Sequence, residues 1–195
     1  ALVKAGENRV ELEKALREAP AEQKEGMAFL VAYMPERDLK ELKADFLLEN
    51  TMYAYQARNQ YVWAKVIPDS VFLNDVLPYV SLNEKRESWR KEFYNRFSKY
   101  VASCQTIQEA IEAVNRNIRD EVLVDYNTKR EKPDQAPFES MRQKMASCSG
   151  LSILLTDAFR AVGIPSRVAG TPNWHDNRGN HNWTEVWADG KWYFT

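Results

Sequence analysis

The feature that most constrains this 195-residue chain is a cysteine at the predicted start of a core helix. Between Leu151 and Val162 the apolar residues recur every three or four positions, which is typical of a helix that buries one face. Ser147 is a favourable N-cap, and the run 163–165 (Gly-Ile-Pro) predicts the helix end. Cys148 is therefore expected in the first turn, where backbone N–H groups and the helix dipole favour a thiolate. Taken alone, a cysteine is more often a buried structural residue, so the interpretation depends on the residues C-terminal to this helix.

After Pro165 the sequence changes from helical to strand periodicity. The predicted elements are a strand at 166–170, a loop at 171–180, a strand at 181–188 and a return strand at 191–195. Asp189-Gly190, between the last two strands, is a strong signal for a tight hairpin. A cysteine at a helix start and a histidine, here His181, on a neighbouring strand form the arrangement of a nucleophile and its base.

The hairpin also predicts where a third catalytic group would lie. A two-residue turn pairs Glu185 with Phe194. The position after Thr195 would therefore face Trp183 and lie diagonal to His181. Diagonal neighbours are about 7 Å apart, within reach of an imidazole and a carboxylate, so an orienting acid is expected just beyond Thr195. Glu185 shares the face of His181 and is the less favoured alternative.

Four motifs occur in order along the last third of the chain. They are the small residues around Cys148, the run Phe159–Gly170 (FRAVGIPSRVAG), the strand His181–Val186 (HNWTEV) and the turn Gly190-Lys191-Trp192. Together they resemble the transglutaminase-like superfamily, which places an Asp shortly after the last tryptophan. The resemblance covers residues 145–195, or 106–195 if the preceding helix is included. This sequence differs from the family pattern at Ala146, a position where the family often has Gly.

The resemblance implies a papain-like α+β core with a Cys-His-Asp triad, in which Cys148 and His181 are the catalytic residues. In the implied reaction the thiolate attacks an amide carbonyl, and His181 protonates the leaving amine and then activates water or a second amine. Water gives a peptidase or amidase, whereas an amine gives a cross-linking transglutaminase. Bacterial members are more often hydrolytic, so hydrolysis is expected. The second oxyanion donor is unassigned, and Gln143 is interpreted as a solvated helix-cap residue.

The chain is predicted to consist of a helical N-terminal region at 1–103 and a transglutaminase-like core at 104–195 that is incomplete at its C-terminal edge. In the core the cysteine helix packs on an antiparallel sheet. Apolar spacing and proline positions predict further helices up to residue 20 and at 21–34, 38–66, 83–101 and 106–122. The polar segment 126–138, which contains two prolines, predicts a long loop beside Cys148.

Composition excludes several classes of partner. The net charge of −1 argues against nucleic acid or an anionic membrane surface. No run of 18 apolar residues is present, so no membrane span is expected. No cofactor or metal is expected, because His175, Asp176 and His181 lack a clear further zinc ligand. The expected partner is a peptide or protein substrate, including glycopeptides and cell-wall peptides. An exported location is favoured over a cytoplasmic one, and the oligomeric state is left open.

Two alternatives remain at this point. Cys104 is interpreted as a buried helix residue, but a Cys104–Cys148 bridge in an oxidising compartment would silence the nucleophile. The other alternative is a non-catalytic module that keeps the fold and binds a peptide or glycan in a groove. Such a groove would be lined by Trp174, Trp183, Trp187 and Trp192. The intact Cys148 and His181 favour an enzyme.

Overall fold

The computed structural model describes residues 1–177 and 179–195, so one position of the predicted 171–180 loop lies outside the described residues. The α-helices are α1 (Arg9–Glu18), α2 (Lys24–Tyr33), α3 (Glu36–Glu41), α4 (Ala44–Gln60), α5 (Val62–Lys65), α6 (Asp69–Asp75), α7 (Trp89–Val101), α8 (Ile107–Val122), α9 (Pro137–Gln143) and α10 (Cys148–Ala161). The strands are β1 (Asp125–Tyr126), β2 (Met145–Ala146), β3 (Ser166–Thr171), β4 (His181–Ala188) and β5 (Lys191–Phe194). Short 3₁₀ helices, Leu2–Asn8 and Ala21–Gln23, precede α1 and α2.

The single helix predicted at 38–66 is wrong, because α3, α4 and α5 replace it. The break between α3 and α4 is stabilised by the first segment of the chain. The side-chain amide of Asn8 donates to the carbonyl of Leu42 at 2.8 Å. Glu11 accepts the backbone N–H of Ala44 at 2.9 Å, which caps α4 from outside. These contacts come from residues more than thirty positions away, and apolar spacing along one segment does not reveal them.

The helix predicted at 83–101 begins only at Trp89. Before that point the carboxylate of Glu84 accepts hydrogen bonds from two backbone N–H groups just upstream, at 2.6 and 2.8 Å. Arg86 pairs with the buried carboxylate of Asp38 at 3.0 Å. Tertiary polar contacts therefore hold this stretch in a non-helical path, although its apolar spacing is compatible with a helix.

The long loop predicted at 126–138 is only partly correct. Its last two residues begin α9, whose N-terminus is capped by Glu139 accepting the N–H of Ala136 at 2.9 Å. Its first residue, Tyr126, belongs to β1, which pairs in parallel with β2. This pairing places Tyr126 opposite Ala146, two residues before the start of α10.

The core sheet has the strand order β3-β4-β5 and is antiparallel throughout. The predicted hairpin register is confirmed, since Glu185 pairs with Phe194 and the turn residues Asp189 and Gly190 have φ of 51° and 78°. Helix α10 packs on β3 and β4. The buried side chains of β4 facing this helix include Thr184 and alternate with more exposed ones, as expected for a sheet covered on one side.

One hydrophobic cluster extends across both predicted parts of the chain. Helix α10 is covered by α7 and α4 on the side away from the sheet. The indole N–H of Trp63 donates to the carbonyl of Val162 at 3.1 Å. Gly163, which ends the helix as predicted, has φ +75°, and a Cβ there would lie 2.8 Å from the Cβ of Ala64. The division of the chain into two parts between residues 103 and 104 stays a prediction. The two parts share one hydrophobic core.

Two buried arginines and a buried acid lie where α7 meets α10. Arg90 and Arg160 donate to backbone carbonyls of the segment after α6. Burial lowers the pKa of Arg90 to about 9. Asp157 is fully buried, and neither carboxyl oxygen has a hydrogen-bond partner within the described residues. Burial first, and then the charge of Glu84, raise the pKa of Asp157 well above its ordinary value despite both arginines.

We expect Asp157→Asn to flatten the dependence of stability on pH. The raised pKa means that the folded chain keeps a proton that the unfolded chain releases above about pH 4. Folding then takes up a proton, so stability falls as pH rises, by about 1.4 kcal/mol per pH unit until the folded-state pKa is passed. Urea denaturation between pH 4 and 8 measures this slope. The exposed Asp120→Asn serves as the control, and an unchanged slope in Asp157→Asn would contradict the assignment.

Candidate active site

Cys148 is the first residue of α10, as the sequence predicts. The hydroxyl of Ser147 accepts the N–H of Gly150 at 3.1 Å and donates to the carbonyl of Pro133 at 2.6 Å. The predicted N-cap is thus confirmed, and its bond to Pro133 also fixes the helix start against the preceding loop. The thiol is half-buried and unbridged, and it lies where first-turn N–H groups lack intrahelical partners.

His181 is the first residue of β4, and its side chain is exposed. It lines a cavity of about 450 Å³ together with Cys148. The strand face that packs on α10 carries the neighbouring Asn182, so His181 reaches the cavity from the end of the strand. No hydrogen bond joins the sulfur and the imidazole within the described residues. Such bonds are often long in unliganded enzymes and tighten when substrate is bound.

The two elements are joined immediately beside these residues. The side-chain amide of Asn182 donates to the hydroxyl of Ser149 at 2.6 Å. One turn further along, the hydroxyl of Thr184 donates to the carbonyl of Ser152 at 3.2 Å. The start of β4 is therefore held against the start of α10, as a cysteine and histidine pair requires.

Aromatic rings surround the imidazole. Trp174 lies edge-on to His181 with ring centroids 5.0 Å apart, and the ring centroid of Trp183 lies 6.3 Å from that of His181. The other two members of the predicted tryptophan groove lie elsewhere. Trp187 lines a second cavity, and Trp192 packs under a β3 guanidinium at 3.9 Å. The four tryptophans therefore do not form one groove, and two of them lie close to the candidate base.

The remaining described residues that line the cavity have uncharged side chains. Leu151 and Leu155 follow Cys148 on α10 at helical spacing and contribute the floor. The other lining residues are Tyr126, Ser152, Asn180, Asn182, Trp183, Thr184, Phe194 and Thr195. Among the described residues that line it there is no Asp, Glu, Lys or Arg.

Tyr126 is a lining residue that the sequence analysis did not single out, although it placed the segment 126–138 beside Cys148. It lies in the segment predicted as a loop, and its side chain is 62% exposed. Its position depends on β1 pairing with β2, two strands of two residues each that are far apart in sequence. Such short strands have no period from which they can be predicted, so only the tertiary structure places Tyr126 in the cavity.

Glu185 does not serve as the orienting acid for His181. Its carboxylate pairs with Arg167 at 2.8 Å and accepts the indole N–H of Trp183 at 3.3 Å. The backbone N–H of Thr195 donates to Thr184 at 3.1 Å, which continues the predicted hairpin register. In that register the next position pairs with Trp183. An acid at that position stays a prediction.

Two further side chains weighed from the sequence lie away from the site. Gln143 accepts the N–H of Glu131 at 3.2 Å and is not among the residues of the cavity. The prediction that Cys104 is a buried helix residue is wrong, because Cys104 lies between the end of α7 and the start of α8 and is only half-buried. It is unbridged, and burial first, then the charge of Glu109, raise the pKa of its thiol. The described part of the chain contains no group of three or more His, Cys, Asp or Glu side chains arranged to hold a metal ion.

The fold is of the type found in cysteine-based acyl-transfer and peptidase proteins. The chain belongs to the transglutaminase-like superfamily, whose family model matches residues 95–195. The match begins inside α7, so it includes part of the helical region. The predicted α+β fold and superfamily are thereby confirmed.

The fold is also similar to a crystal structure from Cytophaga hutchinsonii, of a protein named as a candidate cysteine protease. The TM-score is 0.51 at 16% identity, over 69% of this chain and 44% of that one. At this identity the likeness shows the fold alone, and the chain spans less than half of that protein. None of the curated proteins compared with the chain matches it. Within the described residues, no helix has both the length and the apolar character that crossing a bilayer requires.

Proposed function

We propose that this protein hydrolyses amide bonds in peptides or proteins, with Cys148 as the nucleophile and His181 as the general acid and base. The observation that supports this most directly is the shared cavity. A thiol in the first turn of α10 and an imidazole at the start of β4 open onto the same space of about 450 Å³. Membership of the superfamily indicates the class of reaction. The thiol and the imidazole that line the cavity are the two groups that this reaction needs.

The proposed reaction has two steps. In the first, the Cys148 thiolate forms a bond to the amide carbon, the C–N bond breaks, and His181 gives its proton to the departing amine. In the second, His181 takes a proton from water, the hydroxide attacks the thioester, and the carboxylic acid and the thiolate are released. The oxyanion of each tetrahedral intermediate would be held by the backbone N–H of Cys148, which in the first turn of α10 has no intrahelical partner.

The walls of the cavity favour an apolar substrate segment. Leu151, Leu155 and Trp183 line the cavity together with Cys148. An apolar side chain entering this space would gain burial against these residues. We therefore propose that the preferred peptides carry an apolar side chain next to the amide that is cut.

The thiol chemistry can be tested before a substrate is known. Iodoacetamide should alkylate Cys148 at least about tenfold faster than Cys104 at pH 7, because the imidazole of His181 opens onto the same cavity and can accept the thiol proton. Cys104 is not among the residues of this cavity, and burial raises the pKa of its thiol. Quenched time points followed by peptide mass spectrometry give both rates from one sample. Equally slow labelling of the two cysteines would contradict the proposal.

A further inference from the structure

We propose that Asn182 and Ser149 are positioning residues whose hydrogen bond sets the imidazole of His181 against the thiol of Cys148. The inference rests on the proposed function. It concerns two residues that take no part in bond making or breaking.

The bond lies unusually close to both candidate catalytic groups. Asn182 directly follows His181, and Ser149 directly follows Cys148. The amide nitrogen of Asn182 donates to the Ser149 hydroxyl at 2.6 Å, and Ser149 is only 3% exposed. The contact therefore joins the two catalytic elements at points one residue away from each reacting side chain.

The strand next to β4 is shaped to admit the Asn182 amide. Gly170 is the direct cross-strand partner of Asn182, so both face α10. A Cβ on residue 170 would lie 2.0 Å from the side-chain oxygen of Asn182 and 2.8 Å from the carbonyl of His181. Only glycine leaves that space open. The amide is thus confined at both ends, with its oxygen over Gly170 and its nitrogen on Ser149.

The position of this bond in the strand explains why it matters for the imidazole. The described residues 172–177 and 179–181 are exposed, and Asn182 is the first residue after them whose side chain bonds to α10. Other bonds between helix and sheet lie deeper, for example from the hydroxyl of Ser166 to the carbonyl of Thr156 at 3.0 Å. Loss of the Asn182 bond would leave the sheet on the helix but free the end of β4, where His181 lies.

The test measures the rate of Cys148 alkylation by iodoacetamide as a function of pH, together with the melting temperature. We would compare the wild-type chain with Asn182→Ala, Ser149→Ala and the double variant. The variant His181→Ala gives the pH profile of Cys148 alkylation in the absence of the imidazole. Ser166→Ala is the matched control, because it removes a buried helix–sheet hydrogen bond of the same kind away from the cavity.

Each single variant should lower the alkylation rate at neutral pH by about tenfold, since small displacements of reacting groups have effects of this order or larger. Its pH profile should move toward that of His181→Ala. The double variant should be no slower than the slower single variant, because both remove the same bond. Ser166→Ala should lower the melting temperature and leave the rate and profile of Cys148 unchanged.

Two results would overturn the inference, and they are distinguishable. If wild-type Cys148 reacts much faster than Cys104 but Asn182→Ala keeps the wild-type rate and profile, the positioning role is wrong while the proposed function stands. If wild-type Cys148 is no faster than Cys104, the proposed function fails, and the positioning role fails with it. Ser149→Ala removes only one hydroxyl group. If Asn182→Ala folds poorly, the alkylation rate and pH profile of Ser149→Ala are compared with those of the wild-type chain instead.

Discussion

Replacing Cys148 by alanine should abolish amide cleavage, with a fall in kcat/KM of about 10⁴-fold or more. Removing the nucleophile of a catalytic unit leaves only what substrate binding and oxyanion stabilisation contribute. The substrate is first found by incubating the wild-type chain with a peptide library and reading the cleaved positions by mass spectrometry. The cavity predicts that apolar residues are enriched next to the cut. Rates for the best peptide then give the effect of the substitution.

Cys104→Ala is the matched control for this experiment and should keep wild-type activity, since Cys104 is not among the residues that line the cavity. Cleavage in H₂¹⁸O distinguishes the two acyl acceptors: hydrolysis puts the label in the new carboxyl group, whereas cross-linking joins the acyl group to an added amine. Full activity in Cys148→Ala would exclude the thiol mechanism. A wild-type chain that binds peptides of the library without cutting any would support the non-catalytic alternative.

Replacing Arg90 by alanine should destabilise the protein by about 3–5 kcal/mol, the range found when a buried charged network loses one member. The guanidinium is fully enclosed and makes five contacts at once. It donates to the side chain of Asn50 and to the carbonyls of Val76, Leu77, Pro78 and Arg160. Without it the carbonyl of Val76 and the side-chain oxygen of Asn50 lose their buried donor, which is costly, whereas the carbonyls of Leu77, Pro78 and Arg160 each keep a second donor.

Urea denaturation followed by circular dichroism measures this loss. Arg116→Ala removes an exposed arginine of α8 and serves as the control, with an expected change below about 0.5 kcal/mol. Arg90→Lys keeps the charge but not the fork of donors, and should fall between wild type and Arg90→Ala. A change of less than about 1 kcal/mol in Arg90→Ala would mean that water or a shifted side chain replaces the lost donors.

The parts of the fold that sequence predicted well are those set by local signals. The helix from Cys148 has its cap in Ser147 and its end at Gly163, all within one segment. The hairpin register follows from a two-residue turn, and the strand His181–Ala188 was placed at its observed bounds. Each of these depends on residues only a few positions apart, so spacing and turn chemistry suffice.

The parts that sequence missed depend on distant residues. The break before α4 requires Asn8 and Glu11, and the parallel pairing of β1 requires a strand about twenty positions away. The same holds within the site. Cys148 and His181 were both predicted from motifs and lie in one cavity, whereas the fit of Asn182 over Gly170 is a cross-strand property that no single segment encodes.

The covering of α10 by helices of the first hundred residues has a practical consequence for dissecting this protein. A shortened version beginning near residue 104 would keep both candidate catalytic groups, yet Phe159 and Val162 would lose their cover and face water. Arg160 would also lose its carbonyl acceptors at the end of α6 and on the segment after it. The smallest fragment worth producing for enzymology is therefore one that retains α4, α6 and α7, and a shorter one should be expected in inclusion bodies.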